Sequence, residues 1–227
     1  MKTSIKILLS VSILLLSYFC IMSVYTPIRF EQIQTGREKA IIKRLTDIRK
    51  VELEFKEQKG RYTASFDTLI SFLLDSKKKM VMKEGALSDK QLEAGLTEVK
   101  ATKIVQSGNQ QEIAANGLQN FRRDTAFVNM FEALFQTEYT QETINQLAIV
   151  PHSNNQKFEL RVKNDYLNST GIRIPLFEAC ASFESYLSDL DQQEMLNVKD
   201  IAEKLNKYPG LKVGSVEEPN NNAGNWE

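Results

Sequence analysis

Apolar and polar positions divide the chain into three regimes. Residues 7–25 contain no charged side chain, and about 19 residues at roughly 1.5 Å rise come close to the ~30 Å thickness of a bilayer's hydrocarbon. From 28 to 59 the composition turns charged, yet Ile41, Leu45, Ile48 and Phe55 fall at helical spacing on one face, with Val51 alongside. Thr26-Pro27 between the two reads as an N-cap followed by proline at the first helical position, so a new or kinked helix is predicted to start there. Gly36 costs that helix about 1 kcal/mol against alanine. A coiled-coil seam is not sustained, because Glu52 interrupts it and Gln34 and Glu38 occupy the earlier seam positions. The apolar face is therefore expected to pack against the chain's own domain, which makes Ile41, Leu45, Ile48 and Phe55 the candidate interaction residues.

Gly60 is placed to end the helix as a left-handed C-cap. Arg61-Tyr62-Thr63 then leads into a short helix over 66–73, capped by Thr63 or Ser65. Lys77-Lys78-Lys79 reads as a solvated loop. Residues 88–120 are polar and weakly periodic, with helical pieces expected at 89–99 and 110–118. A strand is expected at 123–128, a short helix at 129–135 and a short extended piece at 148–151. Strict alternation over 158–162 and 172–176, with a turn at Asn168-Ser169-Thr170-Gly171 between, predicts an antiparallel hairpin with one wet face. Pro175 cannot donate to a ladder, which demands an edge position or a gap in the bonding. A helix over 191–207 carries Met195, Val198, Ile201, Ala202 and Leu205 on one face, and Pro209-Gly210 ends it before Leu211-Lys212-Val213. The Asn-rich residues from 217 on are expected to be mobile. The expected fold class is α+β: an N-terminal transmembrane helix continuing into an amphipathic helix, packed on a small antiparallel sheet.

Composition narrows the setting. At 227 residues, the part beyond the apolar span is about one ordinary domain. The expected organisation is a cytoplasmic N-terminus at 1–6, an anchor at 7–25, a stalk helix at 26–59, an extracytoplasmic α+β domain at 60–216 and a flexible tail at 217–227. Lys plus Arg and Asp plus Glu stand at 29 each, so no basic excess exists to hold a phosphate backbone and nucleic acid is not an expected partner. Of two cysteines, Cys20 lies in the span and Cys180 beyond it, which rules out a disulfide-stapled domain. A cleaved signal peptide would need a shorter apolar region ending in a small-x-small site. Tyr18-Phe19-Cys20-Ile21-Met22 favours a retained anchor instead, and bulky Tyr18 and Phe19 argue against a lipidated Cys20. Lys2 and Lys6 ahead of the span place the N-terminus in the cytoplasm by the positive-inside bias. The expected location is the inner membrane, crossed once, with the C-terminal domain in the periplasm and a protein partner in the envelope.

Catalytic chemistry is sparse. His152 is the sole histidine and follows Pro151 in a polar loop, so a Ser-His-Asp triad could form only through it. Neither a His-x-x-x-His nor a Cys-x-x-Cys spacing occurs, and no metal or cofactor is expected. Glu178, Glu184, Asp189 and Asp191 are close enough in sequence to pair as acid and base, but acids at this density usually form a solvated surface. Cys180, between Ala179 and Ala181-Ser182, is expected to be a small buried residue. No enzymatic activity is expected. Trp226, the only tryptophan, is a candidate docking anchor for a partner, unless it folds back on its own domain.

The order of apolar span, charged helix, Gly60-Arg61-Tyr62 turn, short helix and later antiparallel strands resembles type IV pilins and the pseudopilins of secretion systems. The resemblance covers the first third by motif and the remainder by layout. It implies a long stalk with the sheet packed on its outer half, at Ile41, Leu45, Ile48 and Phe55, and subunits that assemble through their spans. Pilins carry a Gly just before the span and a Glu within it; here neither occurs between Met1 and Tyr25. The C-terminal run from Tyr208-Pro209-Gly210 to Asn225-Trp226-Glu227 is similar to that of a family of uncharacterised Bacteroidetes envelope proteins, which implies an envelope setting.

Overall fold

The computed structural model describes residues 2–135 and 138–227. It is an α+β chain led by one helix, α1 (Lys2–Lys59), with Pro27 inside it. The apolar span continues into the amphipathic helix, as expected, and of the new or kinked helix expected at Thr26-Pro27 a new start does not occur. Proline removes one intrahelical bond and crowds the carbonyl four residues earlier; a helix otherwise satisfied on both sides absorbs that loss without ending. At 58 residues, α1 is about 87 Å long. Its N-terminal part is long and apolar enough to cross a membrane, and the most apolar window has none of its residues buried. Burial begins at Phe30 and then follows Ile41, Leu45, Ile48, Val51 and Phe55 along one side.

The chain separates into two compact units, one formed by the residues to Ser71 together with Tyr139–Glu227, the other by Phe72–Glu138. Residues 60–216 fall in both units. In the first unit, α1 runs beside a three-stranded antiparallel sheet in the order β3 (Glu159–Leu167), β4 (Arg173–Ser182), β5 (Gly210–Gly214). The hairpin read from the alternating residues is real but longer, and β4 is central. Pro175 therefore does not sit on an edge. It falls where the register with β3 shifts between Lys163 and Tyr166, while β5 pairs only with Glu178 through Ser182, so no partner strand asks it for a proton. Phe177, Ala179 and Ala181 line one face of β4 and Leu176, Glu178 and Cys180 the other, all buried. The first face meets Tyr62, whose ring lies 4.7 Å from that of Phe177.

Between β4 and β5 lie α7 (Phe183–Leu187) and α8 (Gln192–Lys204), the latter capped by the Asp191 carboxylate accepting from the Glu194 amide at 3.1 Å. Of the face expected on α8, Met195 is buried, Val198 and Ala202 are half-buried, and Ile201 and Leu205 are exposed. Ahead of β3, Tyr139 ties its segment to α1 by donating its hydroxyl to Asp47 Oδ2 at 3.0 Å.

The short helix α2 (Phe66–Asp75) is capped by Ser65, which accepts from the Thr68 amide, and leads into the second unit. There, β1 (Lys77–Glu84) pairs antiparallel with β2 (Arg122–Asn129), so Lys77-Lys78-Lys79 begins a strand and not a loop. Three short helices separate these strands: α3 (Asp89–Glu93), α4 (Glu98–Ser107) and α5 (Gln110–Ala115). Ala101, Ile113, Leu118 and Phe121 form a small core among them, joined by Leu87, Leu96, Ile104 and Val105. The helix expected over 89–99 is two helices, broken at Gly95 in a left-handed conformation. After β2, α6 (Met130–Phe135) starts where Asn129 Oδ1 accepts from the Phe131 amide at 2.9 Å.

The residues from 217 on are not a loose tail. Asn220 accepts from the Ala223 amide at 3.0 Å, and the two residues between, Asn221 and Asn222, have φ of 55° and 57°. This is the geometry of a type I′ turn, in which asparagine is favoured because its side chain tolerates the left-handed region. The turn returns the chain along β5. Gly214 donates to the Ala223 carbonyl, the Asn225 amide to the Lys212 carbonyl, and the Lys212 amide to Asn225 Oδ1, each at 3.0 Å. The outer edge of β5 is thereby closed.

Candidate functional site

The residues singled out on α1 lie inside the first unit. Ile41, Leu45 and Ile48 are fully buried and Phe55 nearly so, on the side of the helix that runs nearest β5 and β4. Trp226 is half-buried, and its indole lies against Gly224 so closely that a Cβ added there would be 2.4 Å from the ring. Its neighbour Glu227 is ion-paired to Arg49 at 2.7 Å, and Arg49 also donates to the Asn222 carbonyl at 3.1 Å. These five residues therefore belong to the contacts between α1, the sheet and the C-terminal segment.

Across the sheet's other face, register brings opposite charges together. Arg161 stands opposite Glu178, and Cys180 lies between Glu159 and Lys212. Buried Glu178 accepts from Arg161 at 3.4 Å and from Lys212 at 3.0 Å, and Arg161 reaches Glu159 at 2.8 Å. The hydrogen bond from Arg161 holds the Glu159 carboxyl below its usual range. Burial pushes the Cys180 thiol up to about 11, so at neutral pH it is a thiol and not a nucleophilic thiolate. The other acids considered for paired catalysis are separately engaged: Glu184 with Lys199, Asp189 with Arg37, and Asp191 at the start of α8. Each of these four has a different partner. His152 is exposed, at φ 62° in a tight turn closed by Val150 and Gln156. Among the described residues no cluster of His, Cys, Asp and Glu could hold a metal ion.

Two features of α1 escape a reading of hydrophobic spacing. Glu52 is wholly buried; one oxygen accepts from the Thr63 amide at 3.3 Å and the other has no partner among the described residues. Burial raises its pKa to about 8. Its presence among Ile48, Val51 and Phe55 was the available signal, taken only as an interruption. The second is Arg37, which donates to the Tyr186 carbonyl at 2.6 Å and makes a two-armed ion pair with Asp189. This clamp brings the α7–α8 corner down along α1. There Leu190 and Asp191 face Met22, Tyr25, Phe30 and Ile33 across a groove of about 210 Å³ that also takes in Thr26 and Arg29.

Together these features define an α+β protein whose first helix is at once a potential membrane span and a structural member of its own domain. Comparison of the chain with family models, with curated proteins and with solved structures finds no match.

Proposed function

We propose that this chain is a single-span membrane-anchored envelope protein with a structural or interaction role, in the manner of a pseudopilin-like assembly component. The observation that carries the reading is α1 itself, one helix whose apolar part is exposed while its continuation is the buried centre of a folded unit. Apolar side chains exposed over more than four turns need a covering that water does not supply. In this reading the inner membrane covers them and the folded part stands in the periplasm, where it meets a protein partner. Three of the four candidate acids are held by cations of the chain and Asp191 caps a helix, which supports a non-catalytic role. Membrane fractionation followed by protease treatment of spheroplasts tests it: the domain is expected with the membranes and open to protease, and a cytosolic or protease-shielded domain overturns the reading.

A second reading, a periplasmic binding module for a small ligand or cell-wall fragment, draws on a polar hollow of about 220 Å³ lined by Arg44, Gln146, His152, Ser153 and Asn155. Titration of the protein with soluble cell-wall fragments distinguishes the two, since saturable heat lost in Arg44→Ala favours the module.

A further inference from the structure

We infer that the groove between α1 and the α7–α8 corner is a binding site for one zwitterionic phospholipid, its phosphate at Arg29 and its ammonium at Asp191. This rests on the membrane reading above and deepens it by naming a ligand class. Met22 and Tyr25, from the end of the exposed apolar stretch, line the groove, so whatever solvates that stretch is continuous with it. Phe30, Ile33 and Leu190 extend the apolar wall away from the span.

The charges fit a headgroup. Arg29 is the first charged residue after Lys6, it is exposed, and among the described residues no carboxylate pairs with it. Asp191 uses Oδ1 to cap α8 and is itself among the residues that line the groove. One guanidinium and one carboxylate among the residues lining a largely apolar cleft complement a phosphate and an ammonium carried on the same molecule. A lipid with net negative charge gains Arg29 but is opposed by Asp191. At about 210 Å³ the groove is smaller than the ~300 Å³ at which pockets enclose a drug-sized ligand. It holds a headgroup or the upper part of one acyl chain, and the rest of the lipid remains in the bilayer.

The test uses the full chain in nanodiscs of phosphatidylethanolamine and phosphatidylglycerol in equal amounts, released into the gas phase for native mass spectrometry. One phosphatidylethanolamine is expected to stay bound, preferred about tenfold over phosphatidylglycerol, as the loss of a single charge-assisted contact implies. Arg29→Gln is expected to lower retention about tenfold. Leu190→Trp, which fills the groove, should abolish it with the circular dichroism spectrum unchanged. Equal retention of the two lipids, or retention unaltered in both variants, means boundary lipid only and overturns the site. A second copy of the chain held in place of lipid overturns it as well. Alkaline carbonate extraction separates the two levels: a chain that washes off the membrane sinks the anchored reading and this site together, whereas an integral chain without lipid preference sinks the site alone.

Discussion

Glu52 keeps a carboxyl group inside the contact between α1 and the turn that follows it, with only one oxygen hydrogen-bonded. The neutral acid is the form that suits this place, since an unpaired buried carboxylate is costly. Because its pKa is raised to about 8 when folded, the unfolded chain gives up the proton near pH 4 to 5 while the folded chain keeps it. The stability is full below the unfolded pKa and falls as pH rises toward 8, by no more than about 1.4 kcal/mol per pH unit. Urea unfolding at pH 5, 6.5 and 8 is expected to show this decline in the parent and its absence in Glu52→Gln. Asp189, Glu184 and Glu159 act in the opposite sense. Hydrogen bonds from Arg37, Lys199 and Arg161 depress their pKa values, so what they contribute is present above pH ~4 and fades in acid.

A different residue-scale constraint sits at Gly214, with φ 76° and a Cβ position only 2.2 Å from the Phe177 carbonyl oxygen. Gly214→Ala forces β5 off β4, and a loss of about 1–3 kcal/mol is expected in thermal or denaturant unfolding.

Among the elements, those with one wet face were legible and those covered on both sides or closed by turn chemistry were not. Alternation revealed the start of β3 and of β4, but β4 continues through Phe177, Glu178, Ala179, Cys180 and Ala181, where both faces are buried and the two-residue period vanishes. The run Lys77-Lys78-Lys79 looked like a loop because charge was given more weight than the pairing partner 50 residues on. Asn220-Asn221-Asn222 looked mobile because asparagine is common in disordered chain, although its tolerance of positive φ makes it equally a turn former. Glu178 and Arg161 were separate in the sequence reading, and only the register of β3 on β4 makes them neighbours. The C-terminal segment gives an element-scale prediction. Asn221→Ala places alanine at φ 55° and is expected to cost about 1–2 kcal/mol. Hydrogen exchange should report it first at the Gly214 and Asn225 amides, which bond across that strand edge.

For the whole molecule, the boundary between exposed and buried α1 predicts where it can be cut. A fragment beginning at Ile28 retains Phe30 and Arg37 and is expected to be soluble, with an unfolding midpoint in detergent-free buffer close to that of the full chain in micelles. A fragment beginning at Lys39 loses buried Phe30, the Glu38 contact to Tyr186 and the Arg37 contacts to Tyr186 and Asp189 and should be less stable by about 1–3 kcal/mol, melting earlier. Equal midpoints for the two fragments would show that residues 28–38, the Arg37 clamp among them, contribute nothing.

The C-terminal segment that closes the edge of β5 also sets a schedule. The buried face of α1 is made first and its covering last: Ile41, Leu45 and Ile48 emerge from the ribosome while β5 and the residues that seal it have yet to be translated. At about 5–20 residues per second, the helix stands for on the order of ten seconds with its inner face uncovered. A nascent chain in that interval offers an amphipathic helix to any chaperone or membrane surface nearby, and stalling translation before Gly210 would hold it there.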